Sequence, residues 1–215
     1  MEIGNTTLLN KFIVLLLLLV AGGAYASDAS VWKNFTFLRY KPIEFKVSGE
    51  QIDINSKAAS SMLYRAIVEN EQKKPRIKWA WRVDSSDVKE TPLDIAHGDD
   101  RTIGVYIFFS KTPVVGEASL STAGNYIAYI WGSSHKVGKV IISPDKQGRM
   151  IIVRAYNEKK QKWFNETMDY QKDFEKAFGY KGYPTLIAIS ADTDDSNATT
   201  IAKVKNIVFS DSTHL

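Results

Sequence analysis

Residues 77–83 read Ile-Lys-Trp-Ala-Trp-Arg-Val, and this stretch carries the pattern that decides the fold. Trp79 and Trp81 alternate with charged or small neighbours. Successive side chains of a strand point to opposite faces of a sheet, so a period of two predicts a strand with one buried face. The same alternation occurs in residues 43–47 and 52–55, which predicts further half-buried strands.

The rest of the chain contains longer apolar runs that are rich in β-branched and aromatic residues, which favours strands over helices. These runs are residues 104–109, 126–131, 137–142, 150–155, 186–190 and 201–209. Residues 60–68 fit either a strand or a helix face, and we favour the strand. Turn signals separate the runs, at Ser48-Gly49-Glu50 and at residues 144–148.

One segment predicts a helix. In Met168–Phe178 the aromatic residues recur every four positions, Thr167 can cap the start, and Gly179 can close the end. Many short strands with one helix, and without a regular strand–helix–strand rhythm, predict an all-β fold. We therefore expect a two-sheet antiparallel sandwich that is jelly-roll-like (galactose-binding-like), with one short helix.

The chain begins with the features of an export signal. Residues 12–21 read FIVLLLLLVA, which is shorter than the roughly 20 residues of a membrane-spanning helix. Lys11 precedes this run and Ala24-Tyr25-Ala26 follows it, as in a cleavable signal peptide. We expect a signal peptide over residues 1–26, a single β-sandwich domain over 27–215, no stable membrane span after cleavage, and a location in the periplasm or outside the cell. A retained membrane anchor is the alternative.

Composition excludes several classes of function. The 215 residues include no cysteine, which excludes disulfides, thiolate metal sites and cysteine nucleophiles. The 28 Lys and Arg residues exceed the 24 Asp and Glu residues only slightly and are interspersed with them, so no nucleic-acid partner is expected. The sequence contains no nucleophile elbow, phosphate-binding loop or dinucleotide-binding glycine pattern.

Several local patterns together resemble a bacterial family of secreted proteins known as DUF3047, a domain of unknown function. The matching stretches are residues 77–83, 98–100 with 105–109, 129–131, 153–154, 169–170 with 177–179, and 191–195 with 206–209. The resemblance spans about residues 35 to 209. The resemblance implies a sandwich like those of carbohydrate-binding modules. No activity is assigned to the family, and a shared fold does not carry function.

The densest acidic segment offers a candidate cation site. Asp192, Asp194 and Asp195 could hold a structural calcium ion, which prefers oxygen ligands. An EF-hand loop is rejected because Asn197 and Lys203 occupy the positions of its required glycine and glutamate. The alternative is a turn whose aspartates cap backbone amides.

A second acidic pair, Asp99 and Asp100, precedes Arg101. These residues could hydrogen-bond to sugar hydroxyls, or they could form an internal salt bridge with Arg101. Arg154 is embedded in an apolar strand, where a charge needs a partner. We therefore expect both acidic segments to converge with Arg154 at one end of the sandwich.

Aromatic residues supply further candidates for ligand binding, because aromatic faces stack on sugar rings. Trp79 and Trp81 share one strand face and are expected in the core. Trp131 ends a strand and Trp163 lies beside lysines, so these two are expected to be exposed. His135, in the loop after Trp131, is a further binding candidate, but no paired histidine spacing indicates zinc.

The sequence therefore predicts a non-catalytic binding module for a polysaccharide or envelope glycan, and it assigns no catalytic residue. Two alternatives stay open. One is a glycan hydrolase or lyase that pairs Asp99 or Asp100 with Asp192, Asp194 or Glu166, because glycosidases use two carboxyl groups. The other is a structural envelope protein without a small ligand.

The signal peptide generates the first testable prediction. The exported protein should begin at Ser27, since the apolar run and the Ala24-Tyr25-Ala26 site direct cleavage after Ala26. N-terminal sequencing of exported protein measures this directly. Membrane-bound protein that still carries Met1 would show a retained anchor instead.

Overall fold

A computed structural model describes residues 31–95, 98–114 and 118–211. The predicted signal peptide lies outside these residues, so both it and the domain boundary at residue 27 stay predictions. Within the described ranges, no helix combines the length and the apolar character that crossing a bilayer requires.

The described chain forms twelve strands, two α-helices and one 3-10 helix at Leu120–Thr122. The strands are β1 (Lys33–Thr36), β2 (Glu44–Ser48), β3 (Gln51–Lys57), β4 (Ser61–Ala66), β5 (Arg76–Ser86), β6 (Arg101–Ser110), β7 (Tyr126–Trp131), β8 (Val140–Ile142), β9 (Gly148–Arg154), β10 (Phe164–Met168), β11 (Tyr183–Asp192) and β12 (Thr199–Ser210). The α-helices are the single turn α1 (Glu69–Gln72) and the nine-residue α2 (Tyr170–Phe178). The ambiguous segment, residues 60–68, contains β4, so the preference for a strand there is confirmed.

The strands form two sheets. The seven-stranded sheet has the order β1-β4-β11-β6-β7-β9-β8, and the five-stranded sheet has the order β10-β5-β12-β3-β2. Described strand pairs are antiparallel except β7 with β9. The predicted class, an all-β jelly-roll-like sandwich with one short helix, is confirmed.

Large aromatic side chains fill the space between the sheets. Trp79 and Trp81 project from β5, and their rings lie 5.5 Å from Tyr129 and 5.6 Å from Trp131 respectively. The expectation that Trp131 is exposed is wrong, because its side chain is 1% accessible. Trp131 is the last residue of β7, and it has the same phase as Ile127 and Tyr129, which face the core. Its position at the strand end therefore does not place it at the surface.

The predicted helix is present but begins two residues later than expected. Met168 pairs with Ile77 of β5 and so belongs to β10. The N-cap is Asp169 in place of Thr167, since the Asp169 carboxylate accepts a hydrogen bond from the backbone of Lys172 at 3.1 Å. Gly179 closes the helix with φ of 76°, as the sequence predicted.

Arg154 joins the two sheets. Its Nε donates to Glu166 Oε1 at 2.7 Å, and the indole of Trp81 donates to the same oxygen at 2.8 Å. Arg154 lies in β9 of the larger sheet and Glu166 in β10 of the smaller one, where Glu166 is buried. The expectation that Arg154 meets the acidic segments is therefore wrong. Its partner is a carboxylate that the sequence places only 12 residues away.

This pair generates a stability prediction. Replacing Glu166 with Gln keeps an acceptor for Trp81 but removes the charge facing Arg154, so the free energy of unfolding should fall by about 1–3 kcal/mol. Chemical denaturation measures the change. The matched control is Glu158→Gln, whose carboxylate lies 3.7 Å from Arg154 in a more exposed position and should cost at most about 0.5 kcal/mol. Equal losses in the two variants would contradict the assignment of Glu166 as the main partner.

Candidate functional site

The outer face of the seven-stranded sheet, which points away from the other sheet, is apolar, and Leu93, Ala118, Leu120 and Ala123 from outside the sheet pack against it. Alternate residues of β6, β7 and β11 face the inter-sheet core, and the intervening ones form a second apolar cluster. One row of side chains crosses six strands through directly paired positions. In order across the sheet, it consists of Tyr64, Ala188, Tyr106, Ala128, Met150 and Ile141.

A second row runs beside the first, through Ala66, Leu186, Phe108, Tyr126 and Gly148. We call these two rows, together with Phe35 and Phe37 at the β1 edge, the aromatic face. Tyr106 and Phe108 are buried in it, whereas Phe35, Phe37, Tyr64 and Tyr126 are half-buried. Both rows mix large and small side chains, with an alternation of tyrosine and alanine from Tyr64 to Ala128 in the first row, so the face is uneven.

Two glycines allow tyrosine rings to lie against the sheet. A Cβ atom on Gly148 would lie 2.1 Å from the ring of Tyr126, and one on Gly104 would lie 2.8 Å from the ring of Tyr106. Any larger residue would push these rings away from the backbone. The glycines therefore fix how the two tyrosines lie on the aromatic face.

Three carboxylates meet at one end of this face. Oxygen atoms of Asp100, Asp192 and Asp194 all lie within 4.8 Å of one another, and we call these three residues the acidic cluster. Asp100 immediately precedes β6, and Asp192 ends the antiparallel neighbour β11. Neighbouring antiparallel strands place the start of one beside the end of the other, which explains why segments some 90 residues apart in the chain converge.

Arg101 connects the acidic cluster to the aromatic face. Its guanidinium lies 2.9 Å from Asp192 Oδ2 and 3.5 Å from Asp99 Oδ2, and its Nε donates to the hydroxyl of Tyr106. Burial raises the pKa of Tyr106 to about 12, so this phenol stays neutral at ordinary pH. The end of the aromatic face is thus a fixed network of one cation, carboxylates and a phenol.

The carboxylates of the cluster differ in their surroundings. Asp100 is buried and accepts hydrogen bonds from the Ser196 backbone at 2.8 Å, the Asp195 backbone at 3.3 Å and the Ser196 hydroxyl. Asp194 is half-buried. Burial, followed by the close approach of the Asp194 carboxyl group, holds the pKa of Asp192 well above its ordinary range despite the opposing effect of Arg101.

The structure thus brings together Asp100, Asp192 and Asp194, as the sequence predicted, but with Arg101 in place of Arg154 as the cation. Asp99 also lies close to Arg101, with its Oδ2 3.5 Å from the guanidinium. Asp195 is exposed and contributes its backbone amide to Asp100, so the third carboxylate of the group comes from Asp100 instead.

Two other predicted binding residues lie elsewhere. Trp163 is half-buried, with Lys205 4.2 Å and Arg82 5.4 Å from its ring centroid, on the side of the five-stranded sheet. His135 Nε2 lies 3.5 Å from a carboxylate oxygen of Asp94. Ligand binding at these two residues stays a prediction.

Sequence reasoning missed the aromatic face itself, including Phe35, Phe37, Tyr64 and Tyr126. The available signal was the unbroken apolar character of residues 104–109 and 126–131. Continuous apolar runs indicate strands covered on both faces, which places half of their side chains outside the inter-sheet core.

Comparison with known proteins gives a family and several similar folds. A family model described as "Protein of unknown function (DUF3047)" matches residues 30–208. No curated protein shows significant sequence similarity to the chain.

Among solved structures, the xyloglucanase domain of NopAA from Sinorhizobium fredii, in complex with cellobiose, has a TM-score of 0.45 at 10% identity, covering 82% of this chain and 91% of that one. A cellulase derived from Cel12A of Rhodothermus marinus has a TM-score of 0.43 at 14% identity, covering 77% and 83%. The native family 12 xyloglucanase of Bacillus licheniformis has a TM-score of 0.43 at 10% identity, covering 85% and 88%.

The network at the end of the aromatic face generates a prediction for Arg101. Its side chain is only 9% exposed, so Arg101→Gln should leave buried carboxylates without their cation and lower the free energy of unfolding by about 3–5 kcal/mol. Denaturant titration measures the loss. The control is Arg82→Gln, which breaks a pair with Asp84 that is 29% and 23% exposed and should cost about 1 kcal/mol or less. If Arg101→Gln is as stable as the control, the buried network adds no more to the free energy of unfolding than an exposed ion pair does.

Proposed function

The chain belongs to the family described as Protein of unknown function (DUF3047), and we propose that it is a non-catalytic binding module for a polysaccharide or envelope glycan. The aromatic face is the observation that carries the proposal. Antiparallel sheets that face water on one side normally carry polar residues there. This sheet instead presents half-buried Phe35, Phe37, Tyr64 and Tyr126.

The chemistry of the face suits a sugar chain. A sugar ring has apolar C–H faces and a rim of hydroxyl groups, so it needs flat apolar contacts beside hydrogen-bonding groups. The half-buried aromatic residues supply the flat contacts. The phenol of Tyr64 and the half-buried carboxylate of Asp194 at the end of the face supply hydrogen-bonding groups beside these contacts.

The size of the face suits a polymer. Neighbouring strands lie about 4.8 Å apart, so a sheet of seven strands is roughly 29 Å wide. Its rows run across the strands, and their half-buried aromatic members, Tyr64 in the first row and Tyr126 in the second, are the side chains that an extended chain lying in this direction could contact. Multiple weak contacts along one polymer raise the overall affinity without a deep cavity.

The surroundings of the carboxylates favour binding over hydrolysis. A glycosidase needs two carboxyl groups that flank the bond to be cleaved. Asp100 and Asp192 are buried and paired with backbone amides and with Arg101. Glu166 accepts hydrogen bonds from Arg154 and Trp81. Asp99 and Asp194 are half-buried, and the Asp99 carboxylate lies 3.5 Å from the guanidinium of Arg101, so the partly accessible pair includes a carboxylate that is already paired with a cation.

Export would place this face where glycans occur. The predicted signal peptide directs the chain to the periplasm or the outside of the cell. A binding module in either compartment meets envelope or environmental polysaccharides, so the proposed location and the proposed ligand agree.

The proposal predicts that mature protein binds a soluble polysaccharide in a panel of β-glucans, xylan, xyloglucan and peptidoglycan fragments. Tyr64→Ala and Phe37→Ala should each weaken binding at least tenfold, since truncating an aromatic anchor commonly removes more than 1 kcal/mol. Affinity electrophoresis gives the retardation of each variant, and isothermal titration calorimetry gives its Kd. Thermal melts establish that the variants are folded.

Phe45→Ala is the matched control, because Phe45 is half-buried in β2 of the five-stranded sheet and so lies outside the aromatic face; its affinity should match the wild type. Loss of binding in Trp163→Ala, with Tyr64→Ala unaffected, would place the ligand at the other sheet and overturn the proposal. New reducing ends released by wild type but not by Asp194→Asn would show a hydrolase instead. Absence of binding to every probe would also count against a glycan module.

A further inference from the structure

The acidic cluster concentrates more negative charge than its protein partners neutralise. Asp100, Asp192 and Asp194 contribute three carboxylates, and Arg101 is the cation in contact with them among the described residues. Two of the three aspartates are buried. Charges removed from water are costly unless each is compensated, so the cluster needs another positive charge.

One oxygen of the cluster lacks a partner. Asp192 Oδ2 pairs with Arg101, but Asp192 Oδ1 is buried and has no hydrogen-bond partner in the described part of the chain. The Asp192 side chain is 10% exposed. A buried carboxylate oxygen without a donor costs on the order of 1–3 kcal/mol or more, and such an atom indicates a missing ligand or a missing proton.

The spacing of the oxygens fits one ion. Calcium binds oxygens at about 2.3–2.6 Å, so ligands on opposite sides of it lie at most about 5 Å apart. The carboxylate oxygens of the cluster are within 4.8 Å of one another, which is close enough for all three side chains to reach a single ion. Asp100 can do so while accepting its hydrogen bonds, because each carboxylate has about four acceptor positions.

We propose that Asp100, Asp192 and Asp194 bind one calcium ion at the junction of β6, β11 and the loop that follows β11. Backbone carbonyls and water complete the six to eight oxygens that calcium takes. The ion ties together the residue that precedes β6, the end of β11 and the turn at residues 194–197. It therefore acts as a structural clamp at the end of the aromatic face, and this inference holds whether or not that face binds a glycan.

The test compares thermal melts of mature protein in calcium chloride, magnesium chloride and chelator. At calcium concentrations 100 times the Kd, the wild-type Tm should rise by roughly 5–10 °C over the chelator value. Magnesium should give a much smaller rise, because it demands a tighter octahedral arrangement and keeps its water. Calorimetric titration with calcium chloride should show one site per chain.

Two adjacent substitutions sharpen this test. Asp194→Asn removes a ligand from a half-buried position and should abolish the calcium-dependent rise. Asp195→Asn makes the same charge change one residue away, at an exposed side chain outside the cluster, and should keep the rise with a Kd within about threefold of the wild type.

Each result decides the question. A rise in wild type and Asp195→Asn that is absent in Asp194→Asn supports the site. Identical wild-type melts in calcium and chelator would overturn it and would leave a shared proton between Asp192 and Asp194 as the neutralising charge. A rise of equal size in all three proteins would show non-specific screening and would also overturn it.

Discussion

The seven-stranded sheet carries apolar side chains on both of its faces, and the rest of the structure follows from this constraint. Its inner face packs Tyr129 and Trp131 against the tryptophans of β5. Its outer face forms the aromatic face. A sheet of this kind leaves few positions where a charged side chain can reach water, so a charge that is buried near its ends must find a partner within the protein.

Two arginines show how the fold meets that requirement. Arg154 reaches from the larger sheet to Glu166 of the smaller one and lies 4.2 Å from the ring centroid of Phe164. Arg101 stays on the larger sheet, where it pairs with Asp192 and contacts Tyr106. The first pair joins the sheets and the second orders one end of the outer face. Their similar chemistry therefore serves two separate purposes, one between the sheets and one at the end of the outer face.

The sequence predicted the strands well because their signal is local. Alternation in β5 and continuous apolar runs in β6, β7 and β11 both survive in the structure. Long-range pairing was predicted less well. The sequence placed the acidic segments together correctly, but it chose Arg154 because that arginine is embedded in an apolar run. No local sequence pattern indicates that β9 and β10 approach each other across the two sheets, which is what allows Arg154 to pair with Glu166.

The surface aromatics were missed for a related physical reason. A sequence shows that a run is apolar, but the assignment of its two faces depends on which sheet covers which side. Trp131 was expected outside because a loop follows it, yet the phase of β7 points it inward with Tyr129. The opposite phase of the same strand, at Tyr126 and Ala128, reaches the outer face. The outward-facing residues of a sheet that is apolar on both faces are therefore found by strand phase and sheet order, because the exposure of a strand end does not determine which way its last side chain points.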